Sequence, residues 1–257
     1  MITPDARDRH AIRSQPTDGD PPRTAWYNPA VPITLSEAES RLLVERHGVA
    51  VSPFVTASNA DAALARVAAD HRLGFPVVAK LCGRGVAHKT ERGLVRLGLP
   101  DEDSLRSACD ELLAAARPDD GPVELLVSSM VSGNRELITG LTHDPRFGLV
   151  VMLGLGGVLA EALGDAAFRL VPLDRVDATE LIDDLAGQPL LGALRGEPAV
   201  DRDALADTVL ALARVGTEVP GLVSTDLNPL IVADGRPIAV DALVEVDDPD
   251  PALGAVA

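Results

Sequence analysis

The order of strand-like and helix-like segments is the feature of this sequence that most limits its fold. From residue 34 onward, apolar runs typical of strands, such as FPVVAKL and GLVRLGL, alternate with helical segments such as SNADAALARVAADHRLG. The segment RPDDGP interrupts this pattern, and three strand-like runs then follow one another without a helix. This order predicts an α+β fold of two α/β lobes, with mostly antiparallel strands in the second lobe.

The same pattern divides the chain of 257 residues into four expected parts. Residues 1–33 are rich in Pro, Asp and Arg and have no apolar period, which predicts a flexible leader. Residues 34–117 are the predicted first lobe, residues 118–247 the second lobe, and residues 248–257 a tail. In the first lobe, a helix is expected over LSEAESRLLVERHGV, and Ser58 or Asn59 is expected to cap the next helix.

Charge and composition exclude several classes of protein. The formal net charge of −16 repels phosphate backbones, so nucleic acid is not an expected partner. Apolar runs are too short to span a bilayer and the N-terminus is too polar for a secretory signal, so we expect no membrane contact and a cytoplasmic location. The two cysteines, Cys82 and Cys109, are interpreted as free packing thiols.

Lysine is confined to one short segment. Of the 23 basic residues only Lys80 and Lys89 are lysines, and both lie in KLCGRGVAHKTERGLV with Arg84 and three glycines. Glycines allow backbone N–H groups to approach phosphate oxygens, and lysine supplies a compact positive charge, so the segment can wrap a polyphosphate. It is not a Walker A loop. The alternatives are a solvated basic turn and two lysines left by codon bias.

His88 lies inside this segment, between two predicted strands. A neutral imidazole is nucleophilic near neutral pH, and the adjacent Lys89 can stabilise a phosphoryl group on it. An ordinary surface histidine is the alternative. The other histidines, His10, His47, His71 and His143, are interpreted as ordinary residues.

A second group of polar residues lies in DLNPLIVADGRPIAVDA. A hairpin closed at Asp234-Gly235 would place Asn228 beside Asp241, and Asp226 lies two residues before Asn228. Oxygen ligands of this kind suit Mg²⁺, which leaves room for water and phosphate. The alternative is a turn at Asn228 and a strand-end cap at Asp241.

A third candidate is the glycine-rich segment GLGGVLAEALGDAAFRLVPL. Gly156 and Gly157 precede a predicted short helix that bears Glu161, and Arg169 follows that helix. A glycine loop that opens a helix can accept a phosphate or a phosphohistidine. Serine hydrolase, zinc and dinucleotide motifs are missing from the sequence.

Several of these motifs, in this order, resemble the ATP-grasp β subunits of NDP-forming acyl-CoA synthetases, relatives of succinyl-CoA synthetase. The resemblance covers about residues 34–247 and rests on LSEAESRLLVERHGV, PVVAKL, HKTERG, GNRELITGLTHDPRFGLVVMLGLGGVLAE, FRLVPL and DLNPL. It implies an ATP-grasp fold whose two lobes clamp ATP or ADP with Mg²⁺. The implied nucleotide-binding residues are Lys80, Arg84, Lys89, Ser128, Met130 and Glu136, and the implied metal ligands are Asp226, Asn228 and Asp241.

The resemblance also implies a reaction and a partner. His88 would relay a phosphoryl group between the nucleotide and a second histidine on a separate CoA-binding α subunit, in the interconversion of acyl-CoA, ADP and phosphate with acid, CoA and ATP. The relay loop would comprise Gly156, Gly157, Glu161 and Arg169. Two alternatives stay open, a non-catalytic nucleotide-binding regulatory module and a free-standing ATP-grasp carboxylate ligase. The acyl substrate and the choice between ADP and GDP are not specified by the sequence.

Overall fold

Two antiparallel sheets with helices on their faces make up the described structure. The computed structural model describes residues 32–86, 88–157 and 164–247. The strands are β1 (Ile33–Thr34), β2 (Phe54–Ala57), β3 (Val77–Cys82), β4 (Val95–Leu99), β5 (Glu124–Ser129), β6 (Glu136–Asp144), β7 (Gly148–Leu155), β8 (Ala166–Leu170), β9 (Leu222–Ala233), β10 (Arg236–Ala239) and β11 (Leu243–Val246). The helices are α1 (Glu37–Arg46), α2 (Ala60–Ala69), α3 (Glu102–Ala114), α4 (Arg175–Asp183), α5 (Gln188–Leu191) and α6 (Arg202–Glu218). This architecture confirms the predicted α+β class.

The small sheet has four strands in the order β2-β5-β3-β4. Every residue of β3 is buried. Its alternate side chains Val77, Ala79 and Leu81 pack against α2 and α3, so Lys80 points to the opposite face. The small sheet therefore directs Lys80 towards the rest of the molecule.

The large sheet has the order β1-β11-β9-β6-β7-β8, and β10 pairs with β9 at one end. One face carries the larger apolar core, in which strand residues such as Leu141, Val151 and Leu227 pack with α1, α4 and α6. On β9, Leu227 belongs to that core, so its neighbours Asp226 and Asn228 project from the other face. The large sheet thus exposes the two polar residues of the DLNPL motif.

The two sheets do not divide the chain at the predicted boundary. Strand β5, which lies after residue 118, pairs with β2 and β3 in the small sheet. Strand β1 and helix α1, which lie in the predicted first lobe, belong to the large sheet and its core. The RPDDGP segment forms a short 3₁₀ turn ahead of β5 rather than a linker between lobes. The predicted leader and tail lie outside the described residues, apart from 32 and 33.

Strand β8 was not predicted. Its larger apolar side chains, Phe168 and Leu170, are 59% and 54% exposed, whereas the small Ala167 faces the core. In most strands the large apolar side chains face the core, whereas here they face solvent. The apolar pattern of the sequence therefore does not identify this strand. In addition, GLVSTDL and LIVA join into the single strand β9, whereas PIAVDALV divides into β10 and β11, which leaves Asp241 in the connection.

No helix among residues 32–86, 88–157 and 164–247 has the length and apolar character needed to cross a membrane.

The cap of α2 provides a test of this architecture. The side chain of Asn59 accepts a hydrogen bond from Ala62 N at 2.9 Å, so Asn59, and not Ser58, is the N-cap. We expect Asn59→Ala to lower the free energy of unfolding by about 1 kcal/mol, because a helix N–H loses its acceptor. Ser58→Ala is the matched control and should cost less than about 0.5 kcal/mol. Urea unfolding followed by circular dichroism measures both, and the reverse order would contradict the assignment.

Candidate functional site

A cavity of about 470 Å³ lies where α1, the loop after β3 and the edge of the large sheet meet. The polar residues that line it come from separate parts of the chain and include Glu37, Arg84, His88, Lys89, Asp226, Asn228 and Asp241. Of these named residues, all but Glu37 are candidates from the sequence. The fold therefore brings the basic segment and the DLNPL hairpin to one place.

The hairpin of β9 and β10 explains why Asn228 and Asp241 share the cavity. Asp234 and Gly235 adopt positive φ angles of 48° and 83° and close the turn. The pairing continues to the far end, where Val240 N donates to Pro229 O at 3.3 Å. Asn228 immediately precedes Pro229 and Asp241 immediately follows Val240, so both residues lie at the cavity wall.

Lys80 and Lys89 each contact the same two carboxylates, those of Glu37 and Asp241. Lys80 Nζ donates to Glu37 Oε1 at 2.7 Å, to Val240 O at 3.0 Å and to Asp241 Oδ2 at 3.3 Å. Lys89 Nζ donates to Glu37 Oε2 and, at 3.2 Å, to Asp241 Oδ1. Arg41 Nη2 lies 2.8 Å from Glu37 Oε1. These contacts join the small sheet, α1 and the large sheet through one charge cluster.

Glu37 is ionised in this cluster although it is buried. Burial acts to raise the pKa of its carboxyl, but the positive charges of Lys80, Arg41 and Lys89 outweigh it and lower the pKa from 4.5 to about 2. Sequence reasoning missed this residue. One signal in the sequence was the spacing of Glu37, Arg41 and Val44. Positions i, i+4 and i+7 lie on one face of a helix, so two charged residues share the face of a buried apolar residue.

Lys89 remains an ammonium for a related reason. Burial acts to lower the pKa of its amine, yet the charges of Glu37 and Asp241 raise it overall. Its side chain is 19% exposed and lines the cavity, whereas that of Lys80 is 8% exposed and lies behind the wall. Of the two lysines, Lys89 is the one that directly faces a ligand in the cavity.

Asp226 and Asp241 form a pair of like charges at the cavity wall. Asp226 is exposed at the surface, but the surrounding protein and the charge of Asp241 raise the pKa of its carboxyl. Two carboxylates and the Asn228 amide are oxygen donors of the kind that Mg²⁺ uses together with water and phosphate. No cluster of three or more His, Cys, Asp or Glu suited to a metal is present in the described residues. Asp226, Asn228 and Asp241 thus supply oxygen donors at the cavity wall, but the described residues alone do not complete a metal site.

His88 lies at the mouth of the cavity. Its side chain is 73% exposed, and Nδ1 lies 3.6 Å from Glu91 Oε2. The backbone has φ 52°, a left-handed conformation that is uncommon for residues other than glycine. An imidazole held in this way is accessible both from the cavity and from outside.

Arg84 lies on the wall between this cavity and a neighbouring one of about 920 Å³. Its guanidinium makes a two-pronged ion pair with Glu39, with Nε at 2.9 Å from Oε2 and Nη2 at 2.5 Å from Oε1. Glu39 also accepts a hydrogen bond from Ser36 N in the capping box of α1. The start of α1 therefore fixes the position of Arg84.

The remaining nucleotide candidates do not line the cavity. Ser128 is buried in β5, where it pairs with Phe54 and Val78. Met130 follows β5 and is 37% exposed. Glu136 is exposed at the start of β6.

The candidate relay loop is only partly brought together. Gly156 N donates to Glu136 O at 2.8 Å, and a Cβ atom at Gly156 would lie 3.0 Å from the Glu136 carbonyl carbon, so glycine permits this close approach. Gly157 continues the loop with φ 79°. Arg169 is directed elsewhere and donates at 2.6 Å to Asp184, the residue that follows α4. Glu161 lies outside the described residues.

Thiol chemistry has no support in this structure. Cys82 and Cys109 are both buried and unbridged, as predicted. Burial raises the pKa of each thiol to about 11, which keeps it protonated at neutral pH.

Comparison with known families decides the classification of this site. The ATP-grasp domain family matches residues 32–246. The chain belongs to the ATP-grasp family. Its place within that family is close to the β subunits of ADP-forming acyl-CoA synthetases, as the motifs indicated, and the predicted ATP-grasp fold is confirmed.

Two relatives and one solved structure document this placement. The chain is 33% identical over 211 residues to the β subunit of acetate–CoA ligase (ADP-forming) I from Pyrococcus furiosus, which covers 81% of this chain and 90% of the relative. It is 37% identical over 207 residues to acetate–CoA ligase (ADP-forming) I from Archaeoglobus fulgidus, covering 79% of this chain but 30% of that longer relative. A structure of the dinucleotide-forming acetyl-coenzyme A synthetase 1 of Ca. Korarchaeum cryptofilum, with coenzyme A and Mg-AMPPCP, matches with a TM-score of 0.68 at 33% identity, over 82% of this chain and 91% of that chain.

The buried carboxylate of this ATP-grasp chain gives a pH-dependent prediction. The pKa of Glu37 is lower in the folded state than in the unfolded state. The ionised carboxylate therefore stabilises the folded protein above pH 4.5, and this contribution is lost as the pH falls towards about 2. We expect Glu37→Gln to lower the free energy of unfolding at pH 7 by about 3 kcal/mol, since it leaves buried cations without their partner.

The deficit of this variant should shrink between pH 4.5 and pH 3, where the unfolded chain already binds the proton. Urea midpoints at pH 7, 4.5 and 3 measure the effect. Glu111→Gln is the control, because Glu111 is 57% exposed and pairs with Arg96 at the surface. A deficit for Glu37→Gln that is the same at all three pH values would argue against an ionised Glu37.

Proposed function

We propose that this chain is the ATP-side subunit of an ADP-forming acyl-CoA synthetase and transfers a phosphoryl group between the nucleotide and His88. The observation that carries the proposal is the convergence of His88, Lys89, Asn228 and Asp241 on one cavity. A nucleophile, a cation and a set of oxygen ligands around a single space are the components that phosphoryl transfer needs. The identity to the Pyrococcus β subunit along nearly its whole length supports the same reading.

Each residue has a distinct part in the proposed transfer. Lys89 binds phosphate oxygens from the cavity wall, and Lys80 supports the same charge from behind it. Asp226, Asn228 and Asp241 would hold Mg²⁺, which when bound offsets the negative charge of the phosphates. In the ATP-forming direction, a ring nitrogen of His88 forms a P–N bond as the P–N bond on the partner's histidine breaks, and the His88 P–N bond then breaks as an oxygen of ADP forms the new P–O bond.

Some of the proposed nucleotide-binding residues lie outside the cavity. Ser128, Met130 and Glu136 remain proposed nucleotide-binding residues on the strength of the family motifs, together with Arg84. The Gly156–Gly157 loop is proposed to approach the transferred group, since it contacts Glu136. Arg169 would have to leave Asp184 to take part.

A CoA-binding α subunit is the proposed partner. The Pyrococcus relative is named as a subunit, and the Archaeoglobus relative is a chain of which this sequence matches 30%. In the Korarchaeum structure a phosphohistidine segment points towards the nucleotide-binding site. We propose that an equivalent segment of the partner delivers the phosphoryl group to the exposed side of His88.

Turnover of the reconstituted complex tests this function. With the CoA-binding subunit, acyl-CoA, ADP, phosphate and Mg²⁺, the wild-type chain should form ATP, and His88→Asn should lower kcat by about 10³-fold because the acceptor is lost. His71→Asn, at an exposed loop position, is the control and should keep wild-type activity. ATP formation by His88→Asn at the wild-type rate, with any acyl-CoA of a broad panel, would contradict the proposed phosphoryl relay through His88.

Nucleotide binding can be tested without the partner. We expect calorimetry to show binding of Mg·ADP by the wild-type chain, at least about tenfold weaker binding by Asp241→Ala, and affinity within about twofold for His88→Asn. A chain that binds nucleotide but never forms acid-labile phosphohistidine with the partner would be a regulatory module. Absence of Mg·ADP binding would remove the basis of the proposed function.

A further inference from the structure

Glu37 lies under the metal candidate Asp241 without being able to act as a ligand itself. Its side chain is 2% exposed, whereas that of Asp241 is 28% exposed at the cavity wall. Both oxygens of Glu37 already accept from cations, Oε1 from Lys80 and Arg41, and Oε2 from Lys89. A ligand in the cavity therefore meets chiefly Asp241, whereas Glu37 borders the cavity with its carboxylate already occupied by its cations.

The two lysines bind Glu37 more closely than Asp241. Lys80 Nζ lies 2.7 Å from Glu37 Oε1 and 3.3 Å from Asp241 Oδ2. Lys89 Nζ likewise lies closer to Glu37 Oε2 than to either oxygen of Asp241, which are at 3.2 and 3.3 Å. Because ion-pair strength falls with distance, Glu37 is the main partner of both ammonium groups and Asp241 is the weaker one.

The orientation of Glu37 is fixed from the opposite side. Arg41, one helical turn along α1, is fully buried and contacts Glu37 Oε1. Its guanidinium also donates to Ser52 Oγ at 3.2 Å and lies over the ring of Phe54 at 5.3 Å. The carboxylate is therefore held towards the lysines by a fully buried side chain that has its own contacts to Ser52 and Phe54.

We propose that Glu37 is a positioning residue that holds the ammonium groups of Lys80 and Lys89 and thereby keeps the Asp241 carboxylate available for a divalent cation. The inference rests on the proposed function, in which Asp241 is a metal ligand. Without the charge of Glu37, Asp241 is the one carboxylate among the described residues that stays within ion-pair distance of both ammonium groups. An aspartate bound by two ammonium groups competes poorly for a metal, because the cation must first displace them.

This role predicts opposite effects on metal and nucleotide. In Glu37→Gln the cavity gains one net positive charge, which weakens binding of a cation but favours binding of an anion. We expect Mn²⁺, used as the probe for Mg²⁺, to bind at least about tenfold more weakly in the presence of ADP, which is about 1.4 kcal/mol. Metal-free ADP should bind as well as, or better than, it does to the wild-type chain.

Electron paramagnetic resonance of free Mn²⁺ and calorimetry of ADP in EDTA measure the two affinities on the complete chain. Glu111→Gln is the matched control, because it also removes a carboxylate but lies in the surface pair with Arg96. A purely structural defect would weaken both ligands together. That result, or wild-type Mn²⁺ affinity in Glu37→Gln, would overturn the proposal.

A second variant tests the competition directly. In Glu37→Gln/Lys80→Met the competing ammonium group that does not line the cavity is removed, so Mn²⁺ affinity, measured at saturating ADP, should return to within about threefold of the wild-type value. If Glu37→Gln does not fold by circular dichroism, Glu37→Asp takes its place, because it keeps the charge but withdraws it from the lysines. Glu37→Asp should weaken Mn²⁺ and spare metal-free ADP, and loss of both would again contradict the role.

Failure of this inference is distinguishable from failure of the proposed function. If the wild-type chain binds no Mn²⁺ with ADP, the proposed metal site itself is wrong. If the wild-type chain binds Mn·ADP and Glu37→Gln binds it equally, the site stands and only the role of Glu37 is lost.

Discussion

The structure depends on one buried ion cluster, in which the Glu37 carboxylate is surrounded by Arg41, Lys80 and Lys89. Removing charges from water costs free energy, and a well-packed apolar group of equal volume would serve stability as well or better. The value of the cluster is therefore positional. It connects α1 on the large sheet with β3 and the loop of the small sheet, and it sets the distance at which charged groups of the two sheets face each other.

Placing catalytic groups at such a junction has a physical logic. Each sheet supplies a rigid surface, with Lys80 on the fully buried strand β3 and Asp226 and Asn228 on the twelve-residue strand β9. The groups that meet a ligand, Lys89 and His88, lie in the loop between strands, where the backbone can adopt the left-handed angle found at His88. Regular elements thus hold the charges, and the loop presents the groups that we propose to take part in the reaction.

Much of this arrangement follows from the sequence because it is encoded locally. The confinement of lysine to residues 80–89, the Asp234-Gly235 turn and the DLNPL motif predicted the local elements, and the resemblance to ATP-grasp β subunits implied that they converge. The assignment of β5 to the small sheet could not be predicted in the same way, because it depends on pairing between distant strands. Glu37 was missed because the three cations that compensate its buried charge stand at other positions of the chain. Strand β8 was missed because its apolar side chains face outward.

The exposed imidazole of His88 has a further consequence for energy conservation. The His88 side chain is 73% exposed, so a phosphoryl group on it, as proposed, would be within reach of water, which competes with ADP for the phosphorus. Nothing among the described residues within this chain shelters that side of the ring. In the proposed reaction, the surface of the partner would have to cover the phosphorylated ring, so that assembly would protect against hydrolysis as well as deliver the group.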